Sequence, residues 1–521
     1  MTEKLYTRRL EEHYDALAHH FLEGNDLQKA AEYAIKAGER ALAVFSWERA
    51  IGHYQTALEL LEELEVDPRQ QAEALFGLGR AQSALGRGEE ASATLGRAFD
   101  YLVSAGDALQ AVKVAQWPVP HLPGQLKGAT RLLVRALDLV QADSHEAGHL
   151  LSLYGSCLGL DEGDYQGAQT AFSHALVIAQ READSTLEMQ TLARAGRVNG
   201  YHLRLQECLE QSLKAIELAR RLDDPSTEAM SRYFAALASW SMGDVAGARL
   251  HTENGLAVSE RLRDHLSLAN LLWAGETIGR LTGDFRSARI FSDRGLALMP
   301  RDPRLLGTRA LLEYEEGNFE RGDVFYQQLL EEMRRTPSSA SFEYAFVASV
   351  TGFAALYTGV ADRFDFNAAK VAAKTVLSSP TVTPLIAIRA QTGLALMAVE
   401  QRDVATAAEG YETHKSRRGT VTPGGMGSVD HLLGLLAMVT GQLDVAMQHL
   451  EDALSFCRKA GYRPEYAHAA LDYADVLFMQ NGPADREKAI ALQDESLAIA
   501  RELSMAPLMK KVLARKELLR A

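Results

Sequence analysis

The chain has 521 residues and a formal net charge of -14, from 55 Lys and Arg against 69 Asp and Glu. That balance argues against a general nucleic-acid surface, which needs a basic footprint, and favours solubility and basic partners. Ala, Leu, Glu and Arg dominate and there are only 14 prolines, so helix is the default throughout.

The N-terminal stretch MTEKLYTRRLEEHYDALAHHFLEG lacks the apolar core of a signal peptide, and no segment approaches the apolar run that a bilayer span requires. The expected location is the cytoplasm. Three well-separated cysteines, Cys157, Cys208 and Cys457, offer neither a disulfide framework nor a zinc knuckle, in keeping with a reducing compartment.

From Ala50 onward a pair of small residues seven apart recurs about every 40 positions. The copies begin at Ala50, Ala91, Ala129, Ala168, Cys208, Ala248 and Ala288, with steps of 41, 38, 39, 40, 40 and 40. Weaker copies follow at Gly322, Ala369 and Ala407, and the signal recovers at Ala446 and Ala489. A fixed period of this size predicts a stack of identical supersecondary units, which presents a long binding surface. The clearest unit predicts one helix over Pro225–Ser241, a turn at Met242-Gly243-Asp244, and a second helix over Val245–Leu262. Gly at such a turn accepts a left-handed backbone, and Asp caps the helix that follows. Thr282-Gly283-Asp284, Glu316-Gly317-Asn318 and Glu162-Gly163-Asp164 repeat the device. Another small residue often stands twelve positions before each pair, as at Gly38, Gly79, Ser156, Gly196, Ala236 and Gly434, and predicts a close approach of the two helices.

This pattern resembles the tetratricopeptide repeat (TPR), with Ala236, Gly243-Asp244, Ala248 and Gly255-Leu256 matching the family's small, turn and Ala-Leu positions. The period departs from the family's 34 residues. The resemblance implies an all-α, right-handed superhelical α-solenoid of about twelve TPR-like helix pairs. The expected organisation is an N-terminal helix over 1–27, a first stack over 28–339, a second stack with irregular units over 340–505, and a C-terminal helix over 506–521. Leu17 to Leu64 and the closing segment from Arg486 look like the repeat region of large bacterial AAA/STAND ATPase regulators. In these LuxR-family, maltose-regulon-activator-like or cyclase-linked proteins, the resemblance implies a sensor arm that binds a small inducer or a protein. A free-standing scaffold that assembles protein partners is the alternative.

In the resembled family the first helices line the concave groove. Carried over, this marks Arg197, Tyr201, Tyr233, Trp240, Asn270, Trp273, Arg280 and Tyr314 as ligand-binding candidates. Aromatic faces beside Arg and Asn suit a sugar, a nucleotide or a peptide, while the competing reading makes Trp240 and Trp273 inter-repeat core.

Two segments interrupt the array. Gln116 to Gly124 carries three prolines and reads as a surface insertion, or else a hinge or a loop over the groove. Ser416 to Ser428 is the longest structureless connection and is expected to be a mobile loop. His145-Glu146-Ala147-Gly148-His149 fits the HExxH zinc pattern, with Glu146 as the would-be base. No third ligand is recognisable from the sequence, and no sheet accompanies the helix, so a zinc hydrolase stands as the distant alternative. There is no Gly-Lys dipeptide for a P-loop and no GxSxG elbow. The expectation is therefore a non-enzymatic chain with no cofactor, no metal, no direct nucleic-acid binding and no membrane association. The cluster Lys510, Lys511, Arg515, Lys516 and Arg520 reads as a solvated helix face, or as a contact to DNA or a neighbouring domain.

Overall fold

The computed structural model describes residues 10–64, 67–119, 123–124, 126, 128–262, 264–336, 342–480, 482 and 485–518. Among them the elements are α-helices, short 3-10 turns and one isolated antiparallel bridge between Val421 and Ser428. Twelve helix pairs run from Leu27–Ala43 and Trp47–Glu62 to Arg463–Gln480 and Asp485–Glu502. The helix Tyr14–Glu23 precedes them and Ala506–Leu518 follows. The unit read most clearly from sequence is formed to the residue, as Pro225–Ser241 and Val245–Leu262.

Local chemistry explains the starts and stops. Asp26, Asp67, Asp107, Ser144, Asp184, Asp224, Asp264 and Asp302 recur at about one repeat period. Each accepts a hydrogen bond from a backbone N–H two or three residues on, at 2.8–3.2 Å. These side chains satisfy donors that every helix N-terminus leaves open. Between the two helices of a pair, Gly243 and Gly283 take φ of +84° and +83°, the left-handed region that the turn requires.

The small-residue pairs are the core. Ala50, Ala57, Ala91, Ala98, Ala168, Ala175, Cys208, Ala215, Ala248 and Ala288 have no exposed surface. The preceding small position lies against a bulky partner sixteen residues on. A Cβ at Gly38 would stand 2.7 Å from the Tyr54 ring, at Gly79 2.8 Å from Leu95, and at Gly434 2.7 Å from Leu450. These crossings have no room for a side chain, which is why the pattern survives in the sequence.

The chain divides into two compact units, residues 1–194 and 195–521. In the first, the proline-rich segment is tied down where it is described. Trp117 packs edge-on against Phe76 at 5.7 Å, Ser83 Oγ donates to the Pro118 carbonyl, and Asp161 accepts from the N–H groups of Gly124 and Leu126. Pro120, His121 and Leu122 lie outside the described residues.

The second unit closes on itself. Phe285, Ala288 and Leu312 share one core with Ala467, Leu471, Leu497, Met505, Leu508 and Val512. The turn at Gly243 meets Phe456, the turn at Gly283 meets Leu503, and the turn at Gly317 meets Ala506 and Pro507. Three basic residues of the last helix find partners on neighbouring segments. Arg515 pairs with Asp475 at 2.9 Å, Lys516 pairs with Asp494, and the Lys511 ammonium donates to the Leu356 carbonyl. The expectation of a solvated basic face therefore holds for Lys510 and for Arg515, which stays half-exposed in its ion pair, and not for Lys511 and Lys516, which are partly buried. Arg520 lies outside the described residues.

Candidate functional site

The first helices of the second unit bring together four of the residues marked in the sequence. Tyr201 ends the helix Ser185–Tyr201, Tyr233 and Trp240 lie on Pro225–Ser241, and Trp273 lies on His265–Thr282. All four line one cavity of about 30 Å³, together with Arg304, Phe342, Arg389, Arg417, Val421, Pro423 and Gly424. A space of that size admits roughly two waters or one small polar head group. Trp240 and Trp273 meet edge-on with ring centroids 5.9 Å apart, a favoured aromatic geometry.

The groove is not an open concave face. Trp240 is 2% exposed and Trp273 5%, because the protein's own loop fills the trough. The segment expected to be mobile is pinned by the Val421 N–H to the Ser241 carbonyl (2.9 Å) and by the Ser428 N–H to Glu465 Oε1 (2.7 Å). Its residues Val421 to Ser428 are all buried. The Arg280 guanidinium donates to the carbonyls of Gly424 and Gly425 and pairs with Glu315 Oε1 at 2.9 Å. Gly424 is required here: its φ is +76°, and a Cβ would fall on the guanidinium of Arg389. Arg280 thus holds the loop rather than facing solvent.

The remaining candidates are placed elsewhere. Asn270 Oδ1 accepts from Arg304 Nη1 at 2.6 Å and so acts behind the cavity wall. Arg197 is partly exposed and does not line the cavity. Tyr314 packs edge-on against Phe364 at 5.5 Å and donates to Asp323 Oδ1 at 2.9 Å, so it belongs to the core between its own helix pair and the next.

Three arginines that were not among the sequence candidates give the cavity its charge. Arg304 is held charged by Asp302, whose two oxygens it meets at 3.0 and 2.6 Å. Burial works against that charge, and the Asp302 pairing outweighs it. Arg389 has no such partner. It is 4% exposed, lies 3.8 Å from the Phe346 ring centroid, and donates to Ser349 Oγ at a long 3.4 Å. Among the described residues it forms no ion pair, and burial pulls its pKa down to about 9. Arg417 is similar: its buried Nη1 finds no hydrogen-bond partner among the described residues, and burial pulls it down to about 10. The Trp273 indole N–H is also buried with no partner among the described residues. Nearby, Glu276 is pushed up to about 8 by burial, with Thr308 donating to its Oε2 at 2.8 Å. A buried guanidinium without a counterion is costly, and an anion of the right size relieves that cost.

The architecture is an all-α solenoid of TPR-type helix pairs. No family model matches the sequence, and no curated protein matches it. Among solved structures, a chain of the APC/C hetero-tetramer Cut9–Hcn1 has the same fold, at a TM-score of 0.51 and 15% identity over 98% of each chain. A Rap protein complexed with Competence and Sporulation Factor aligns at a TM-score of 0.42 and 14% identity, over 67% of this chain and 96% of its own. Yeast Tom70 aligns at 0.37 and 15% identity, over 89% of this chain and 99% of its own. No helix among the described residues is long and apolar enough to cross a membrane.

Proposed function

We propose that the chain is a non-catalytic binding protein whose second unit takes up an acidic group of a protein or peptide partner in the arginine cavity. The observation that carries this reading is Arg389, a buried guanidinium with no carboxylate partner among the described residues, in a cavity walled by Tyr233, Trp240 and Trp273. An incoming carboxylate meets Arg389 and Arg417 in a low-dielectric site, where charge-assisted hydrogen bonds are strong. The loop tip Pro423-Gly424 forms part of the wall, so the partner displaces or stacks on it. In this reading the chain is the binding arm of a larger signalling assembly, an ATPase or transcription regulator, supported by the resemblance of residues 17–64 to such proteins.

The test is a peptide titration read by intrinsic tryptophan fluorescence, since two of the four tryptophans line the cavity. Peptides ending in Glu-Glu are expected to quench or shift the emission, and their amidated Gln-Gln counterparts are not. Arg389→Met and Arg417→Met each lower the affinity at least tenfold. Equal binding of both peptide sets, or an unchanged affinity in both variants, overturns the assignment.

A further inference from the structure

The HExxH segment of the first unit takes no part in the cavity described above, and the fold changes its meaning. Ser144 caps the helix His145–Asp161 by accepting from the Ala147 N–H at 3.1 Å. That start puts His145 in the first turn and His149 one turn later on the same face, with ring centroids 4.8 Å apart. One period after Ser144 the next capping residue is Asp184. Its Oδ1 accepts from the N–H groups of Thr186 at 2.8 Å and Leu187 at 2.9 Å. These two bonds fix the carboxylate and turn Oδ2 toward the imidazoles. Oδ2 lies 2.6 Å from His145 Nε2 and 3.5 Å from His149 Nε2. One donor atom from each of the three residues falls within 4.8 Å of the others.

We propose that His145, His149 and Asp184 form a binding site for a divalent transition-metal ion of the zinc type. Two imidazole nitrogens and one carboxylate oxygen are a ligand set that such ions take, with a fourth, water-filled position. Metal–ligand bonds near 2.0–2.2 Å in a tetrahedron space the donor atoms by roughly 3.4 Å. The His149–Asp184 pair already has that spacing. The His145 side chain, 47% exposed, swings outward by less than about 1 Å to match it. The backbone bonds to Asp184 Oδ1 supply the outer-shell orientation that metal carboxylates need. The third ligand escapes a sequence scan because it stands 39 residues from His145, on the cap of the following repeat. The ion links the starts of two successive repeats, so its binding stabilises the first unit by mass action.

The experiment uses the full chain, stripped of metal with a chelator and titrated with zinc chloride against a chromophoric competitor. Cobalt chloride gives a visible-absorption readout of coordination geometry. One equivalent is expected to bind, to raise the melting temperature, and to give the intense bands of four-coordinate cobalt. His145→Ala, His149→Ala and Asp184→Asn each weaken binding at least tenfold. Asp184→Asn retains an oxygen for the helix cap, and His145→Ala removes a half-exposed ring, so both keep the fold in circular dichroism. Absence of stoichiometric binding overturns the site, and so does an affinity unchanged in all three variants, which places the ion on other histidines. Loss in the histidine variants with full retention in Asp184→Asn reduces it to a two-histidine surface chelate and overturns the three-ligand assignment.

Discussion

The Tyr462 hydroxyl donates to the main-chain carbonyl oxygen of Trp240 at 2.5 Å, across 222 residues of sequence. Tyr462 is 1% exposed, and the Trp240 carbonyl also accepts from the Gly243 N–H at 3.2 Å. The bond ties the helix that opens the cavity to the helices that close the second unit. Tyr462→Phe removes the donor and keeps the ring. Because Gly243 still satisfies the carbonyl, the expected loss is about 1 kcal/mol, read as a lowered denaturant midpoint with an unchanged slope.

Trp240 and Trp273 line the cavity and are core residues as well. Truncating either to Ala is expected to cost about 3–5 kcal/mol, the usual range for deleting a large buried aromatic. Chemical denaturation monitored by circular dichroism checks this. A variant that keeps wild-type stability shows the indole to be dispensable for packing.

The first unit offers a matched pair of glycines. A Cβ at Gly38 meets the Tyr54 ring at 2.7–2.9 Å, and Tyr54 is itself fully buried with its hydroxyl on Glu39 Oε1. A Cβ at Gly52, inside the helix Trp47–Glu62, meets nothing within 4 Å. Gly38→Ala is therefore expected to destabilise by about 1–3 kcal/mol, and Gly52→Ala to stabilise by up to about 1 kcal/mol. Thermal unfolding of the two variants side by side gives shifts of opposite sign.

His431 supplies a pH test. Burial works against its charge, but Glu465 and Asp472, at 2.8 Å from Nδ1 and Nε2, outweigh it and hold the pKa up to about 10. The folded value lies above the unfolded one, near 6.5. Its contribution is therefore fully present below about pH 6.5 and is lost as the pH rises toward 10. His431→Gln is expected to be less stable at neutral pH and to show a shallower decline in melting temperature between pH 7 and pH 10. An identical slope in the two proteins shows that His431 is not the titrating group.

The array was legible because its requirements are local. Small residues recur where helices cross, Asp recurs where helices start, and Gly-Asp marks the turns, so one repeat read closely gives the bounds of its neighbours. The same periodicity placed Tyr201, Tyr233, Trp240 and Trp273 on one surface. What covers that surface was not legible. Gly424, Gly425 and Gly427 read as a flexible run until Arg280, Arg389 and Glu465 are known to lie against them, and those contacts join residues far apart in sequence. Arg304 and Arg389 stand six residues before the small residues Ala310 and Ala395, a groove position that the repeat register offered but that was not marked, whereas Arg417 lies in the loop and gave no local signal. Asp184 was accessible in principle: the capping residue one period after Ser144 must lie beside the start of the preceding first helix.

The self-closure of the second unit bears on how the protein is made. An open array can harden repeat by repeat as it leaves the ribosome, but here Trp240 waits for Tyr462. At roughly 5–20 residues per second that delay is on the order of 10–40 seconds. Throughout it, an inner wall of Tyr233, Trp240 and Trp273 stands bare, sticky to neighbouring nascent chains and attractive to chaperones.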